Sequence, residues 1–283
     1  MPTYNTPDPI DLAINVQIGA IEIVAGDRDD TVVTVSATNP AKAGDRRAAE
    51  ETKVDFDGRR VTIAGPRPRI SWIGPGGNES IDVTVELPAG SRLTAEIAVG
   101  GVRAAGRLGA TRIKSSFGPV DVDAAGDLWL RVSHGNVTLG TAEGDVEITS
   151  DFGQVRAGTI SGSAILKSSH GAIQVGEARG DLDAKLSYGD LEIRKALGSV
   201  SVKTAYGDIQ LAEVSSGSID VESGFGQVSV GVKAGVPAWL DLSSKYGHVR
   251  NQLAGDSAPD PSEKTVEVRA RTQGGDLTIH RAR

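Results

Sequence analysis

Residues 115–120 read SSFGPV. The same phrase returns as VSHGNV (132–137), SDFGQV (150–155), SSHGAI (168–173), LSYGDL (186–191), TAYGDI (204–209), SGFGQV (223–228) and SKYGHV (244–249). Each copy runs from a small polar pair through an aromatic residue or His to Gly, any residue, and a branched apolar residue. The ring position falls at Phe117, His134, Phe152, His170, Tyr188, Tyr206, Phe225 and Tyr246. The spacing stays at about 18 residues as far as Tyr206 and then loosens. A short fixed period marks a solenoid, in which each repeat buries its apolar face only by stacking on its neighbours.

Each repeat divides into two similar halves. One is Gly-x-apolar-x-apolar, as in Gly171, Ile173 and Val175. The other is Gly-(Asp/Ser)-apolar-x-apolar, as in Gly180, Leu182 and Ala184. Alternation at period two is a half-buried strand, and the glycines supply the corners. The expected architecture is therefore all-β: a parallel β-solenoid (β-helix) of about 18 residues per coil, with coils ~4.8 Å apart. The inward columns follow directly. One wall holds Val120/Val122, Val137/Leu139, Val155/Ala157, Ile173/Val175, Leu191/Ile193, Ile209/Leu211 and Val228/Val230. The facing wall holds Leu128/Leu130, Val146/Ile148, Ala164/Leu166, Leu182/Ala184, Val200/Val202 and Ile219/Val221. Coils with two faces and coils with a third short face both satisfy this pattern.

Two other designs share the period. A hexapeptide helix needs apolar residues every six positions, whereas the halves here repeat every nine. A calcium β-roll wants GGxGxDxUx, and only Gly180-Asp181, Gly189-Asp190 and Gly207-Asp208 echo it.

Composition sets further bounds. With 39% hydrophobic residues and 36 glycines, the chain suits a turn-rich all-β protein. It has no cysteine, so neither disulfides nor thiolate metal sites operate. A net charge of −7 argues against nucleic-acid binding. The opening MPTYNTPDPIDLA lacks a basic and then apolar leader, and no run approaches ~18 apolar residues, so a cytoplasmic chain with no transmembrane segment is expected.

In chain order, residues 1–96 are expected to form an irregular N-terminal β segment continuous with the solenoid, 97–250 the repeats, and 251–283 a C-terminal cap. Near the start, Ile10–Ile18, Ala20–Val24 and Thr31–Ala37 read as three strands, and Ile18–Ile23 already resembles a coil. The polar run 39–52 reads as a loop or a single helical turn. Lys53–Phe56 and Arg60–Ala64 read as a hairpin about Asp57-Gly58. The loop Gly65–Ser80 (GPRPRISWIGPGGNES) is the least regular segment. Thr265–Ala270 and Asp276–His280 read as a last strand pair that, with the loosened coils before it, covers the solenoid end.

Val85-Glu86-Leu87-Pro88-Ala89-Gly90 before the repeats, the recurrent Ser-x-(ring)-Gly-x-apolar corner and the alternate Gly-(Asp/Ser)-apolar corner carry a resemblance across nearly the whole chain. The sequence resembles the bacterial β-strand-repeat family of unknown function labelled "putative adhesin". That resemblance implies the solenoid fold and an association with cell-envelope stress systems. It implies no catalytic residues.

Several side-chain sets are candidates for function. The eight-residue aromatic/His ladder has a sufficient structural reason, since stacked rings add about 0.5–1.5 kcal/mol per pair, and a ring platform for sugars is the alternative. A basic column runs through Lys114, Arg131, Lys167, Lys185 and Lys203. Like charges at ~4.8 Å repel by roughly 0.9 kcal/mol in water, and Glu147 and Asp183 relieve this. Lys167, Lys185 and Lys203 are the candidates for an anionic membrane surface. Arg67, Arg69 and Trp72 are the candidates for a protein partner, because Arg and Trp dominate binding hot spots. No phosphate loop, nucleophile elbow or zinc signature is present, so no catalytic residue, cofactor or metal is expected. The expected role is a non-enzymatic scaffold or interaction protein, with homo-oligomers possible. A self-assembling bactofilin-like filament and a small-ligand or carbohydrate binder or enzyme using the 65–80 loop are the alternatives.

Overall fold

The structure is a computed structural model, and residues 2–66, 79–253 and 265–282 are described. Two compact units divide the chain at Leu139/Gly140. Both are parallel β-solenoids, each coil contributing one strand to each of two sheets, A and B.

The first unit holds β1 (Thr3–Asn5), β2 (Asp11–Gly26), β3 (Asp30–Ala37), α1 (Ala43–Glu51), β4 (Lys53–Phe56), β5 (Arg60–Ala64), β6 (Ile81–Pro88), β7 (Arg92–Val99), β8 (Val102–Arg107), β9 (Thr111–Phe117), β10 (Val120–Ala125) and β11 (Leu128–His134). The chain passes into the second unit within β12 (Val137–Ala142). The expected strands Ile10–Ile18 and Ala20–Val24 are one element. β2 runs through Gly19, so its first half lies in sheet B between β5 and β7 and its second half in sheet A between β6 and β8. The first coil in sequence is thus inserted between the next two. Its core comes from alternate residues: Leu12, Ile14, Val16, Ile21 and Ile23 are all buried.

Antiparallel additions close one end of this unit. β3 pairs with β6, β1 with β3, and β4 with β5 in the expected hairpin. The polar run expected to be a loop or one turn forms α1, which packs on β3 and β6. Its sequence, AGDRRAAEE, is rich in strong helix formers. Asp45 fastens it: one carboxylate oxygen accepts the Ser80 N–H at 3.1 Å, the other the Asn39 N–H at 3.3 Å, and the Lys42 ammonium lies 2.9 Å away.

The second unit continues with β13 (Val146–Phe152), β14 (Val155–Ile160), β15 (Ala164–His170), β16 (Ile173–Ala178), β17 (Leu182–Tyr188), β18 (Leu191–Ala196), β19 (Val200–Tyr206), β20 (Ile209–Val214), β21 (Gly217–Phe225), β22 (Val228–Val232), β23 (Ala238–Tyr246), β24 (Val249–Asn251), β25 (Val266–Gly274) and β26 (Leu277–Arg281). Sheet B stacks β13, β15, β17, β19 and β21, and sheet A stacks β14, β16, β18, β20 and β22, all parallel. Every residue assigned to the two inward walls from sequence is buried. Burying an Ile, Leu or Val side chain contributes roughly 1.5–3 kcal/mol, so these columns hold the coils without cross-links.

Chain order breaks again after β22. β25 and β26, the final strand pair, do not lie outermost. β25 sits between β21 and β23, and β26 between β22 and β24. The outermost coil is β23–β24, which comes earlier in the chain. Leu240 and Leu242 point inward there but are only half-buried, whereas their register mates Val268 and Ala270 are fully buried.

Candidate functional site

Four sets of side chains stand out on this frame. The first is the ring column at the corner between each sheet B strand and the following sheet A strand. In the first unit Phe117 and His134 stack with centroids 4.7 Å apart. In the second, Phe152–His170, His170–Tyr188, Tyr188–Tyr206 and Tyr206–Phe225 stack at 4.7, 5.1, 5.1 and 5.3 Å, all within 14° of parallel. These Phe and Tyr rings are about half exposed. Because each ring covers the next, what reaches solvent is ring edges and Tyr hydroxyls. A sugar needs an open ring face, so the column is poorly formed for that use.

Tyr246 does not follow Phe225 as the sequence order suggests. The inserted β25 puts Gly274 in register with both. A Cβ on Gly274 would lie 2.8 Å from the Phe225 ring, so the ring extends over the space the glycine leaves. Tyr246 lies beyond, 71% exposed.

The second set is the basic column. Lys167, Lys185 and Lys203 occupy one register position across β15, β17 and β19, continued by Glu222 on β21. Each ammonium has a carboxylate beside it: Glu147 at 3.5 Å, Asp183 at 3.7 Å and Glu222 at 2.9 Å. The Lys203 ammonium is held above the usual lysine range by its hydrogen bond to Glu222. In the first unit Lys114 has Glu96 at 4.0 Å. Such exposed pairs contribute about 0–1 kcal/mol each, but they neutralise the column and weaken its attraction for an anionic surface.

The third set is a row of carboxylates that sequence reading left without a role. Asp145 accepts the Ser163 N–H, Asp181 the Ser199 N–H, Asp190 the Asp208 N–H, Asp208 the Gln227 N–H and Asp276 the His248 N–H, at 2.7–3.0 Å. Each hooks the turn of a stacked neighbouring coil. The Gly-Asp pairs that echo a calcium roll are therefore hydrogen-bonded joints. The backbone N–H of His248 is the main reason the Asp276 carboxyl is held below its usual range, with Arg250 adding to it. Asp181 and Asp183 also border a shallow open depression of about 370 Å³ with Ser199, Ser201 and Asp220. Asp181 is committed to Ser199 and Asp183 lies beside Lys185. Among the described residues no group of three or more His, Cys, Asp or Glu is placed to hold a metal ion.

The fourth set is the outer coil. Trp239 is 56% exposed and Val249 44%, close to Tyr246 in sequence and on the same coil. Among the described residues β23 pairs only with β25 and β24 only with β26. The candidates Arg67, Arg69 and Trp72 lie outside the described residues. No described helix is long and apolar enough to cross a membrane.

Stacked in-register coils with two inward apolar walls define an all-β, parallel β-solenoid repeat protein. The chain belongs to the Toastrack DUF4097 family, whose model matches residues 10–280. No curated protein matches it. It is similar to the crystal structure of a putative adhesin from Bacteroides fragilis NCTC 9343, with 12% identity, TM-score 0.41 and coverage of 98% of this chain and 95% of that one. A putative adhesin from Parabacteroides distasonis ATCC 8503 has 13% identity and TM-score 0.31, covering 98% and 95% of the two chains. A putative cell adhesion protein from Clostridium sporogenes ATCC 15579 has 10% identity and TM-score 0.24, covering 99% and 98%.

Proposed function

We propose that the chain is a non-enzymatic interaction protein, a rigid β-solenoid scaffold that engages a protein partner through the outer coil β23–β24. The observation that carries this reading is the coincidence of Trp239, Tyr246 and Val249, all exposed, on the one coil of the second unit whose outer edge lacks a partner strand among the described residues. An unpaired edge presents backbone donors and acceptors ready for another strand. Large aromatics beside it supply the anchors on which protein interfaces depend. The ring column, with its faces covered, and the Lys column, with its charges paired, are each less suited to an independent ligand.

Affinity capture tests the reading. Immobilised wild-type chain and a W239A/Y246A double variant are exposed to lysate of the source cells. Proteins held by the wild type and lost by the variant are the expected result. Identical captured sets would overturn the use of this coil.

A further inference from the structure

The outer coil has two walls, β23 in sheet B and β24 in sheet A, and a partner that covers it fully must present two walls of the same spacing. Another copy of the same coil does so. Its charges favour one pairing, in which Asp241, 3.5 Å from Arg271 of the neighbouring strand β25, is shared between that guanidinium and a cation of the second copy. Along β23, Ala238, Leu240 and Leu242 share the inward register of Val266, Val268 and Ala270, so Trp239, Asp241, Ser243 and Lys245 face outward. In antiparallel self-pairing, a two-fold axis places residues symmetrically about its centre. A centre at Asp241 sets carboxylate against carboxylate, and a centre at Lys245 sets ammonium against ammonium. Centres at Leu240, Leu242 and Ser244 set Asp241 opposite Trp239, Ser243 and Gly247, so none of them gives it a cation. A centre at Ser243 sets Asp241 of each copy opposite Lys245 of the other, on the inner face sets Leu242 opposite Ser244, and brings Leu240 beside the exposed corner ring of Tyr246. The half-exposed leucines and Tyr246 would then gain the cover that their position lacks. The first unit treats its own end differently, adding antiparallel strands β1, β3 and β4 and helix α1.

We propose that two copies of this chain pair through β23, antiparallel about Ser243, with reciprocal Asp241–Lys245 contacts, forming a closed dimer. This deepens the interaction-protein reading and rests on it, naming the partner as a second copy. The symmetry makes the dimer self-limiting, because each copy spends its open coil in the contact.

The test uses the full chain and its D241K and K245D variants, studied by sedimentation velocity from micromolar to millimolar concentration. Lys245 is exposed, whereas D241K also removes the ion pair with Arg271 beside Arg269. Circular dichroism and melting temperature therefore check the fold of both variants, and the equimolar mixture separates the intermolecular effect from that loss. The wild type is expected to dimerise. Each variant alone sets like charges opposite each other twice, so its dimer should weaken roughly tenfold or more. An equimolar mixture of the two restores opposite charges at both contacts and should recover dimer at the wild-type level. A monomeric wild type throughout would overturn the self-pairing. Edge-dependent capture of a different protein would then leave the broader reading standing, and its loss too would remove both. A dimer indifferent to both variants would place the interface elsewhere, and variants that fail to rescue each other would overturn the register about Ser243.

Discussion

The rings of Tyr188 and Tyr206 lie parallel to within 1°, with centroids 5.1 Å apart, on residues that the β17–β19 ladder sets directly opposite each other. Backbone register and ring stacking therefore enforce one another. Tyr188 also stacks on His170 at 5.1 Å, so removing its ring breaks two pairs. Tyr188→Ala should cost about 1–3 kcal/mol in urea unfolding. Tyr188→Phe keeps the ring and should stay within about 0.5 kcal/mol of wild type. Equal losses in both variants would assign the effect to the hydroxyl and refute the role of stacking.

The corner beside that ring leaves no room for a side chain. Gly189 has φ +141°, and a Cβ there would lie 2.3 Å from the Gly171 carbonyl oxygen of the preceding coil. That obstacle is backbone, so it cannot rotate away. Gly189→Ala should cost about 3 kcal/mol or more, from strained backbone and overpacking together. Gly235 has φ +77°, and a Cβ there would meet nothing within 4 Å, so Gly235→Ala should cost only about 1–2 kcal/mol. Matching unfolding midpoints for the two variants would show that close approach between coils is not what the corner glycine serves.

The repeat was legible because its signal is local and recurs: period-two apolar residues fix which face is inward, and corner glycines fix where the chain turns. Both walls follow residue by residue from these two signals. A third inward column, Ile160, Ala178, Ala196, Val214 and Val232, is hidden in the sequence because strand irregularity breaks the alternation before it. Chain order in space was not legible. Nothing in Leu12–Ile23 or Val266–Ile279 distinguishes a strand at the end of a stack from one inserted within it, since the inward alternation is the same in both places. This is why Gly274, and not Tyr246, lies next to Phe225. The role of the Gly-Asp corners was also hidden, because the acceptor is named by sequence but the donor is a backbone N–H about 18 residues away.

Asp208 joins three coils at one such corner. Its N–H donates to Asp190 at 2.9 Å, and its carboxylate accepts the Gln227 N–H at 2.7 Å. Asp208→Ala removes the acceptor and should cost about 1 kcal/mol. Asp208→Asn retains an oxygen acceptor and should recover most of that loss. Calcium should leave the wild-type melting temperature unchanged, since the carboxylate is already engaged with the backbone. A calcium-dependent rise abolished by Asp208→Ala would instead show that this corner binds the ion.

Asp45 should make the attachment of α1 pH-dependent. The Lys42 ammonium, with the Ser80 and Asn39 N–H groups, holds its carboxyl below the usual carboxylate range. The ionised form is therefore favoured by the folded chain. Its stabilising effect is fully present above the pKa of the unfolded chain, about 3.9, and is lost as pH falls through that value and then through the lower folded one. Amide exchange in α1 should accelerate, relative to the parallel strands of the same unit and beyond the intrinsic pH effect, only in this acid window. Asp45→Asn cannot ionise, so it should show looser α1 protection at neutral pH and no further acid-specific step. An acid step of equal size in the Asn variant would assign the transition to a different group.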